Sequence, residues 1–212
     1  MILSRLSVFL LSSFFLWIHA SQTFAQQRFR AGAVFGLNAS QIQGDDVGGY
    51  DKLGLLGGLR ATTFLKEKLD LSFELLYTQR GSYSKYGSPR CNNGNLLIAL
   101  QYVEVPVVLT YKEWLSESDD FYRIHAGAGF SYGRLINAKS EGSCHDDLTD
   151  LFNTNDFSFT AGVEYFISRP FSFGIRWTRS INLLFNKDKH DGLQGRNSLR
   201  GYFISFRGAY TF

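Results

Sequence analysis

Proline and cysteine are both scarce in this sequence. Its 212 residues include 3 prolines and 2 cysteines, against 21 glycines, 20 phenylalanines and 11 tyrosines. Few prolines together with many aromatic residues and glycines favour strands joined by glycine-containing turns over a helical protein. With 44% hydrophobic residues, the chain is apolar enough to fold as one domain and shows no compositional sign of disorder.

Neither sign of charge is in large excess. Lys and Arg together number 22 and Asp and Glu 19, so the formal net charge is +3 at pH 7. Proteins that bind nucleic acid usually carry a strongly basic surface. The charge balance therefore gives no reason to expect nucleic acid as a partner.

The first 25 residues have the pattern of a cleaved signal peptide. One positive charge lies in residues 1–5, residues 6–18 are apolar except for three serines, and small residues at 23–25 suit a cleavage site. An uncleaved anchor is the alternative, but residues 6–18 fall short of the roughly 20 residues that cross a bilayer. The cleavage site has no cysteine, so no lipid anchor is expected. We expect residues 1–25 to be removed and the mature chain to begin at Gln26.

After residue 25 there is no apolar run long enough for a membrane helix. A closed barrel of strands is the other structure that satisfies its own backbone hydrogen bonds in lipid. Apolar residues alternate with small or polar ones in eight segments, as in barrel strands. These segments are residues 29–39, 53–62, 69–80, 98–112, 122–132, 157–165, 171–177 and 202–212. The sequence predicts an all-β, antiparallel transmembrane barrel of eight strands, as one domain over residues 26–212.

The connections between these segments alternate in length. Residues 66–68, 113–120 and 168–170 are short connections, whereas residues 41–52, 81–95, 137–155 and 180–199 are long and polar. Outer-membrane barrels have short periplasmic turns and long extracellular loops, so this asymmetry fits them. Proline inside a strand usually marks an edge or a bulge, and a barrel has no edge, so Pro106 predicts a local bulge.

Charged residues lie in the middle of the predicted strands, opposite the apolar stripe. They are Arg60, Glu74, Arg80, Glu104, Arg123, Glu164, Arg176 and Arg207. A soluble β-sandwich or lipocalin-like barrel, which would expose these charges to water, is the alternative fold. The signal pattern, the aromatic residues of the stripes and the terminal phenylalanine favour the membrane barrel.

In a membrane barrel these charges would share the lumen. Eight strands enclose a lumen just wide enough for side chains to fill. Opposite charges there must pair, because an unpaired buried charge is costly. The eight residues therefore predict a lumen charge network that plugs the barrel, with a narrow gated conduit as the alternative.

Four short segments resemble a known family. They are Gly36-Leu37-Asn38, Gly44-Asp45, Tyr77-Thr78-Gln79-Arg80-Gly81-Ser82 and Tyr102-Val103-Glu104-Val105-Pro106. Together they resemble the PorT-like outer-membrane β-barrel family of Bacteroidota. The resemblance implies a barrel in the cell outer membrane of a Gram-negative bacterium. It implies no shared activity, although one founding member is tied to protein secretion.

Two further features concern assembly. The last strand ends on Phe212 with Tyr210 on the same face, which resembles the C-terminal signal read by the barrel assembly machinery. We therefore expect this machinery and outer-membrane lipid as partners. Cys91 and Cys144 fall in the second and third long loops of an exported chain, so they are predicted to form a disulfide.

The sequence gives little support for an enzyme. His125 faces the predicted lumen and His145 and His190 lie in loops, with no triad-like arrangement around any of them. Residues 144–147, a Cys-His-Asp-Asp run, predict a solvated loop, because adjacent residues seldom converge on one metal ion. We expect no cofactor and no metal.

Three functions remain open. The leading hypothesis is a non-enzymatic outer-membrane protein that stabilises the envelope or presents its loops to an unknown extracellular partner. The second is a small channel or an accessory component of protein secretion. The third is a lipid-modifying outer-membrane enzyme.

Overall fold

Eight antiparallel strands follow one another along the chain and close into a barrel. The computed structural model describes residues 29–45, 48–85, 95–116, 120–141, 151–186 and 198–212. The strands are β1 (Phe29–Gln43), β2 (Lys52–Lys66), β3 (Leu69–Ser84), β4 (Leu96–Ser116), β5 (Phe121–Glu141), β6 (Asn155–Phe166), β7 (Phe171–Ser180) and β8 (Arg200–Thr211). Each strand pairs with its neighbours in sequence, and β1 pairs with β8 to close the ring. The predicted eight-stranded antiparallel barrel is confirmed.

The strands place apolar side chains on the outside of the barrel and polar ones inside. On β4, Val105, Val107 and Leu109 point outwards and are exposed, whereas Glu104 points inwards and is 4% exposed. The same alternation leaves large apolar side chains exposed on the other strands, among them Phe35, Leu59, Leu75, Phe130, Val163, Ile175 and Phe206. A soluble barrel would bury these residues and expose the charged ones. The observed orientation excludes the soluble sandwich or lipocalin-like alternative.

Two strands are much longer than the sequence predicted. β4 and β5 contain 21 residues each, whereas about 9–11 residues suffice to cross a bilayer. Residues 137–141, predicted to begin the third long loop, continue β5 instead. Their sequence, Asn-Ala-Lys-Ser-Glu, has no apolar alternation, because this part of the strand lies beyond the region with an apolar exterior.

The prediction of a bulge at Pro106 is wrong. Pro106 pairs with Ser131 in an unshifted register, and the β3–β4 register is the same before and after it. Proline lacks one N–H donor, which removes a ladder hydrogen bond without requiring an inserted residue. The register shift in the β4–β5 ladder lies between Gln101 and Tyr102, opposite Ile136.

The two ends of the barrel differ. Residues 67–68, 117–120 and 167–170 form the short connections, and we call their side the short-turn end. Residues 44–51, 85–95, 142–154 and 181–199 connect the strands at the opposite side, the loop end. The described part of the chain contains no helix that is long and apolar enough to span a bilayer.

Candidate functional site

The lumen is closed at the loop end by a cluster of buried apolar side chains, which we call the apolar plug. It consists of Ile42, Leu96, Ile98, Leu100, Tyr102, Phe152, Leu184, Phe185 and Leu199. The inward face of β4 supplies four of these residues, since its polar alternation changes to an apolar one beyond Glu104. Leu184 and Phe185 lie across the opening and pair with Leu199 through backbone hydrogen bonds.

Directly beneath the plug, one arginine binds two carboxylates. Arg80 Nη1 lies 3.1 Å from Glu104 Oε1, and Arg80 Nη2 lies 2.8 Å from Asp156 Oδ2. The guanidinium also stacks 3.8 Å from the centre of the Tyr102 ring. We call Arg80, Glu104 and Asp156 the upper cluster; their side chains are at most 5% exposed.

A larger group of ion pairs fills the middle of the lumen. Glu74 accepts hydrogen bonds from Arg60 at 2.9 Å, Arg176 at 2.7 Å and Arg207 at 2.8 Å. Arg60 also binds Glu164 at 2.8 Å, and the Ser172 hydroxyl donates to the same Glu164 oxygen. We call Arg60, Glu74, Glu164, Arg176 and Arg207 the central cluster. Its members come from β2, β3, β6, β7 and β8, so it links five of the eight strands.

The formal charges of the two clusters cancel. The central cluster has three arginines and two carboxylates, and the upper cluster has one arginine and two carboxylates. Leaving a buried charge unpaired would cost several kcal/mol. The excess positive charge of one cluster is therefore balanced by the excess negative charge of the other.

Towards the short-turn end the lumen opens into a wider cavity. Its wall includes a further ion pair, in which Lys112 Nζ lies 2.9 Å from Asp70 Oδ1. At the rim, exposed Lys68 donates a hydrogen bond to Glu113, and this bond raises the pKa of Lys68 above its ordinary value. A smaller cavity that shares Phe64 and His125 with the wider one lies next to the central cluster and is lined by Arg60 and Glu74.

A model of the outer membrane protein beta-barrel domain matches residues 21–186. The match covers more than half of the chain and includes the strands that supply the upper cluster. The chain belongs to the outer membrane protein beta-barrel domain family. Membership of this family supports location in the outer membrane.

Solved structures of small outer-membrane barrels are similar to this family member at low sequence identity. Ail of Yersinia pestis, solved with the heparin analogue sucrose octasulfate, is 10% identical, with a TM-score of 0.47 over 87% of this chain and 99% of that one. Neisserial surface protein A is 12% identical, with a TM-score of 0.47 over 87% and 97%. Outer membrane protein W of E. coli is 15% identical, with a TM-score of 0.43 over 88% and 100%. No curated protein sequence matches the chain.

In this outer membrane protein beta-barrel domain, the structure brings seven of the eight charged residues singled out in the sequence into the two clusters. The eighth, Arg123, lies near the short-turn end, where its guanidinium donates to Ser116 Oγ at 3.2 Å and to the Tyr165 hydroxyl at 3.4 Å. Arg123 has the inward parity of the other charges, but β5 begins at Phe121, two residues earlier. The alternation along β5 correctly predicted the face of the strand on which Arg123 lies. Arg123 does not reach either cluster because it lies nearer the short-turn end of the barrel.

The sequence interpretation missed two carboxylates and a lysine. Asp156 lies two residues before Ser158 on the inward face of β6, just outside the predicted segment. Asp70 and Lys112 are inward-facing residues near the ends of β3 and β4. Asp156 would have been found by extending its segment by one residue. Asp70 and Lys112 already lie within the predicted segments, on the polar face, and would have been found by following that face to the ends of the segments.

The remaining predicted residues concern the cysteines and the chain end. Cys91, Cys144, His145 and His190 lie outside the described residues, as does the signal segment. Tyr210 packs against Phe171 and Phe212, with ring centres 4.8 and 5.7 Å apart, and the Phe212 N–H donates to the Ala31 carbonyl at 2.9 Å. The described residues contain no group of three or more potential metal ligands.

Proposed function

We propose that this outer-membrane barrel is a non-conducting, non-enzymatic protein that stabilises the envelope or presents its long loops to an extracellular partner. The observation that carries the proposal is the occlusion of the lumen by the apolar plug, the upper cluster and the central cluster in series. The short-turn end would then face the periplasm and the loop end the cell exterior.

The occlusion opposes ion flow in two ways. A hydrated ion would have to displace the central ion pairs, and removing one partner from a buried pair costs about 3–5 kcal/mol. The same ion would also have to wet the apolar plug, and apolar constrictions obstruct conduction by excluding water. This obstacle disfavours the alternatives of a small channel or a conduit for secretion.

The surroundings of His125 support a non-enzymatic role. His125 is the one histidine among the described residues. Its Nε2 lies 3.1 Å from the Tyr122 carbonyl oxygen, and its ring stacks on Phe166 with centres 4.2 Å apart. Neither partner is a nucleophile that the imidazole could activate.

We also propose that this protein is PorT-like and that its first 25 residues are a cleaved signal peptide. The YTQRGS and YVEVP segments support PorT-like membership, and the pattern of residues 1–25 supports export with cleavage after Ala25. The apolar outer surface would contact lipid. The chain end would be recognised by the barrel assembly machinery.

Single-channel recording tests the proposal. The mature protein in planar bilayers should give no discrete conductance steps under conditions in which a general porin, reconstituted in parallel, gives them. Reproducible steps from folded, heat-modifiable protein would refute a non-conducting role. Incubation with outer-membrane lipid should leave the lipid mass spectrum unchanged, and a new lipid species would refute a non-enzymatic one.

A further inference from the structure

The cavity at the short-turn end is large enough to hold a small organic molecule. We call it the vestibule; its volume is about 440 Å³, and its lining includes Arg30, Phe64, Lys112, Tyr122, His125 and Phe166. Pockets for small organic ligands typically have about 300–1,000 Å³. A smaller cavity lies between the vestibule and the central cluster and is lined by Arg60 and Glu74. The cluster closes the lumen beyond it, so the vestibule is a pocket rather than a passage.

The walls of the vestibule are unusually aromatic for a lumen. Phe64 of β2 and Phe166 of β6 stand on the same inward faces as Arg60 and Glu164, where the neighbouring residues are polar or charged. Phe121 and Tyr122 of β5 complete the aromatic lining. These rings leave an open cavity between them, so they offer flat apolar surfaces to a ligand.

The vestibule also presents a positive charge that forms no salt bridge. In the described part of the chain, Arg30 forms no salt bridge or hydrogen bond, and its guanidinium carbon lies 5.0 Å from the centre of the Phe64 ring. Lys112 lies 5.2 Å from the same ring but is already paired with Asp70. Glu67 accepts a hydrogen bond from the Tyr122 hydroxyl at 2.9 Å. Among the cations of the vestibule wall that the structure describes, Arg169 pairs with Asp120, whereas Arg30 and Lys66 form no ion pair. Of these two, Arg30 is the one that lies over an aromatic ring of the cavity, so it is best placed to bind the anionic group of an aromatic ligand.

We propose that the vestibule binds a small carboxylate carried on an aromatic body. The carboxylate pairs with Arg30, for which a bidentate contact is the favoured geometry. The aromatic body packs against Phe64, Tyr122 and Phe166. This site faces away from the long loops and does not depend on what those loops bind.

Ligand titration of the mature protein in lipid nanodiscs tests the proposal. Naphthoate is the probe, naphthalenemethanol the neutral analogue and octanoate the non-aromatic carboxylate, each corrected for partitioning into empty nanodiscs. Naphthoate should bind one site and about tenfold more tightly than either analogue, as expected from losing one charge-assisted contact or the aromatic packing. Absence of saturable naphthoate binding would overturn the proposal, and equal affinity for octanoate would overturn its aromatic part.

Substitution of Arg30 locates the site. Arg30→Gln should weaken naphthoate binding about tenfold and leave the affinity for naphthalenemethanol unchanged. The matched control is Arg134→Gln at the loop end, where Arg134 is exposed and binds Asn155, and it should change neither affinity. Arg30→Lys keeps the charge but loses the bidentate contact, so it should bind naphthoate more weakly than wild type and still more tightly than it binds naphthalenemethanol. This comparison tests the charge even if the glutamine variant folds poorly. Naphthoate binding that is equally tight in wild type and Arg30→Gln would refute the assignment.

Discussion

Glu74 is the residue on which the central cluster depends. Its side chain has no exposed surface and accepts hydrogen bonds from three arginines on three different strands. These arginines would repel one another without a carboxylate between them. Glu164 contacts just one of the three, Arg60, so it does not replace Glu74.

Replacing Glu74 by glutamine should therefore destabilise the barrel strongly. Glu74→Gln removes the negative charge from a buried site and leaves Arg176 and Arg207 without their ion-pair partner. We expect the free energy of unfolding to fall by about 3–5 kcal/mol. Urea unfolding of the protein folded in lipid vesicles measures the change.

The matched control is Glu113→Gln. Glu113 pairs with Lys68 at 2.8 Å, but both side chains are substantially exposed. Exposed ion pairs contribute at most about 1 kcal/mol, so the urea midpoint should hardly move. Equal shifts for the two variants would contradict the role assigned to the central cluster.

Glu104→Gln should have an intermediate effect. It removes one partner of Arg80, which keeps Asp156 at 2.8 Å. Since Arg80 retains a charged partner, the loss should be smaller than for Glu74→Gln and larger than for Glu113→Gln. The same unfolding series places all three variants on one scale, and a loss at Glu104 as large as that at Glu74 would show that Asp156 does not compensate.

The alternation of apolar and polar residues predicts the parts of the strands whose outer face is apolar, and it does not predict the parts beyond them. All eight strands were found because each carries an apolar stripe that the bilayer requires. The upper part of β5, residues 137–141, lacks that stripe and was assigned to a loop. The alternation also does not predict the apolar plug. Its β4 residues are apolar on the inward face, where the other strands carry mostly polar residues, and Phe152, Leu184 and Phe185 come from connections with no periodicity. The alternation predicted which charged residues face the lumen. It does not predict which residues of different strands lie at the same depth in the barrel, and so it does not predict which charges form pairs.

Gly81 shows where a strand requires glycine. It has φ of 154° and lies so close to β4 that an added Cβ would be 1.8 Å from the Ile98 carbonyl oxygen. Gly81→Ala should therefore lower the free energy of unfolding by about 2 kcal/mol or more, as backbone strain typically does. Gly48→Ala is the control, since an added Cβ there meets nothing within 4 Å. Similar urea midpoints for the two variants would mean that β3 and β4 separate at no cost.

The end of β8 supports a prediction about assembly. Phe212 extends the pairing between β8 and β1, because its N–H donates a hydrogen bond to the Ala31 carbonyl, and its ring packs against Tyr210. Deleting Phe212 removes the terminal aromatic residue that we expect the assembly machinery to recognise. The amount of heat-modifiable protein in outer-membrane fractions should fall relative to wild type. Substitution of outward-facing Phe35 by leucine is the control and should leave that amount unchanged, whereas normal levels of the truncated protein would argue against the signal.

The lumen of the barrel is open at one end and closed at the other. The vestibule admits solvent from the short-turn side, and the two charged clusters and the apolar plug close the rest of the lumen. Thr62 and Thr160 both point inwards, but they lie on opposite sides of this boundary. Thr62 lines the smaller cavity between the vestibule and the central cluster, whereas Thr160 is 1% exposed and hydrogen-bonded to Thr178.

Thiol labelling of these two positions tests the boundary directly. In a background with Cys91 and Cys144 replaced by serine, Thr62→Cys should react readily with a water-soluble maleimide in the folded, detergent-solubilised protein, where both ends of the barrel are accessible. Thr160→Cys should react at least about a hundredfold more slowly, because its labelling requires a local opening that costs about 3 kcal/mol or more. Both thiols should react at similar rates in urea, which controls for intrinsic reactivity. Equal rates in the folded state would mean that water and solutes pass the central cluster, and the lumen would then be a conduit.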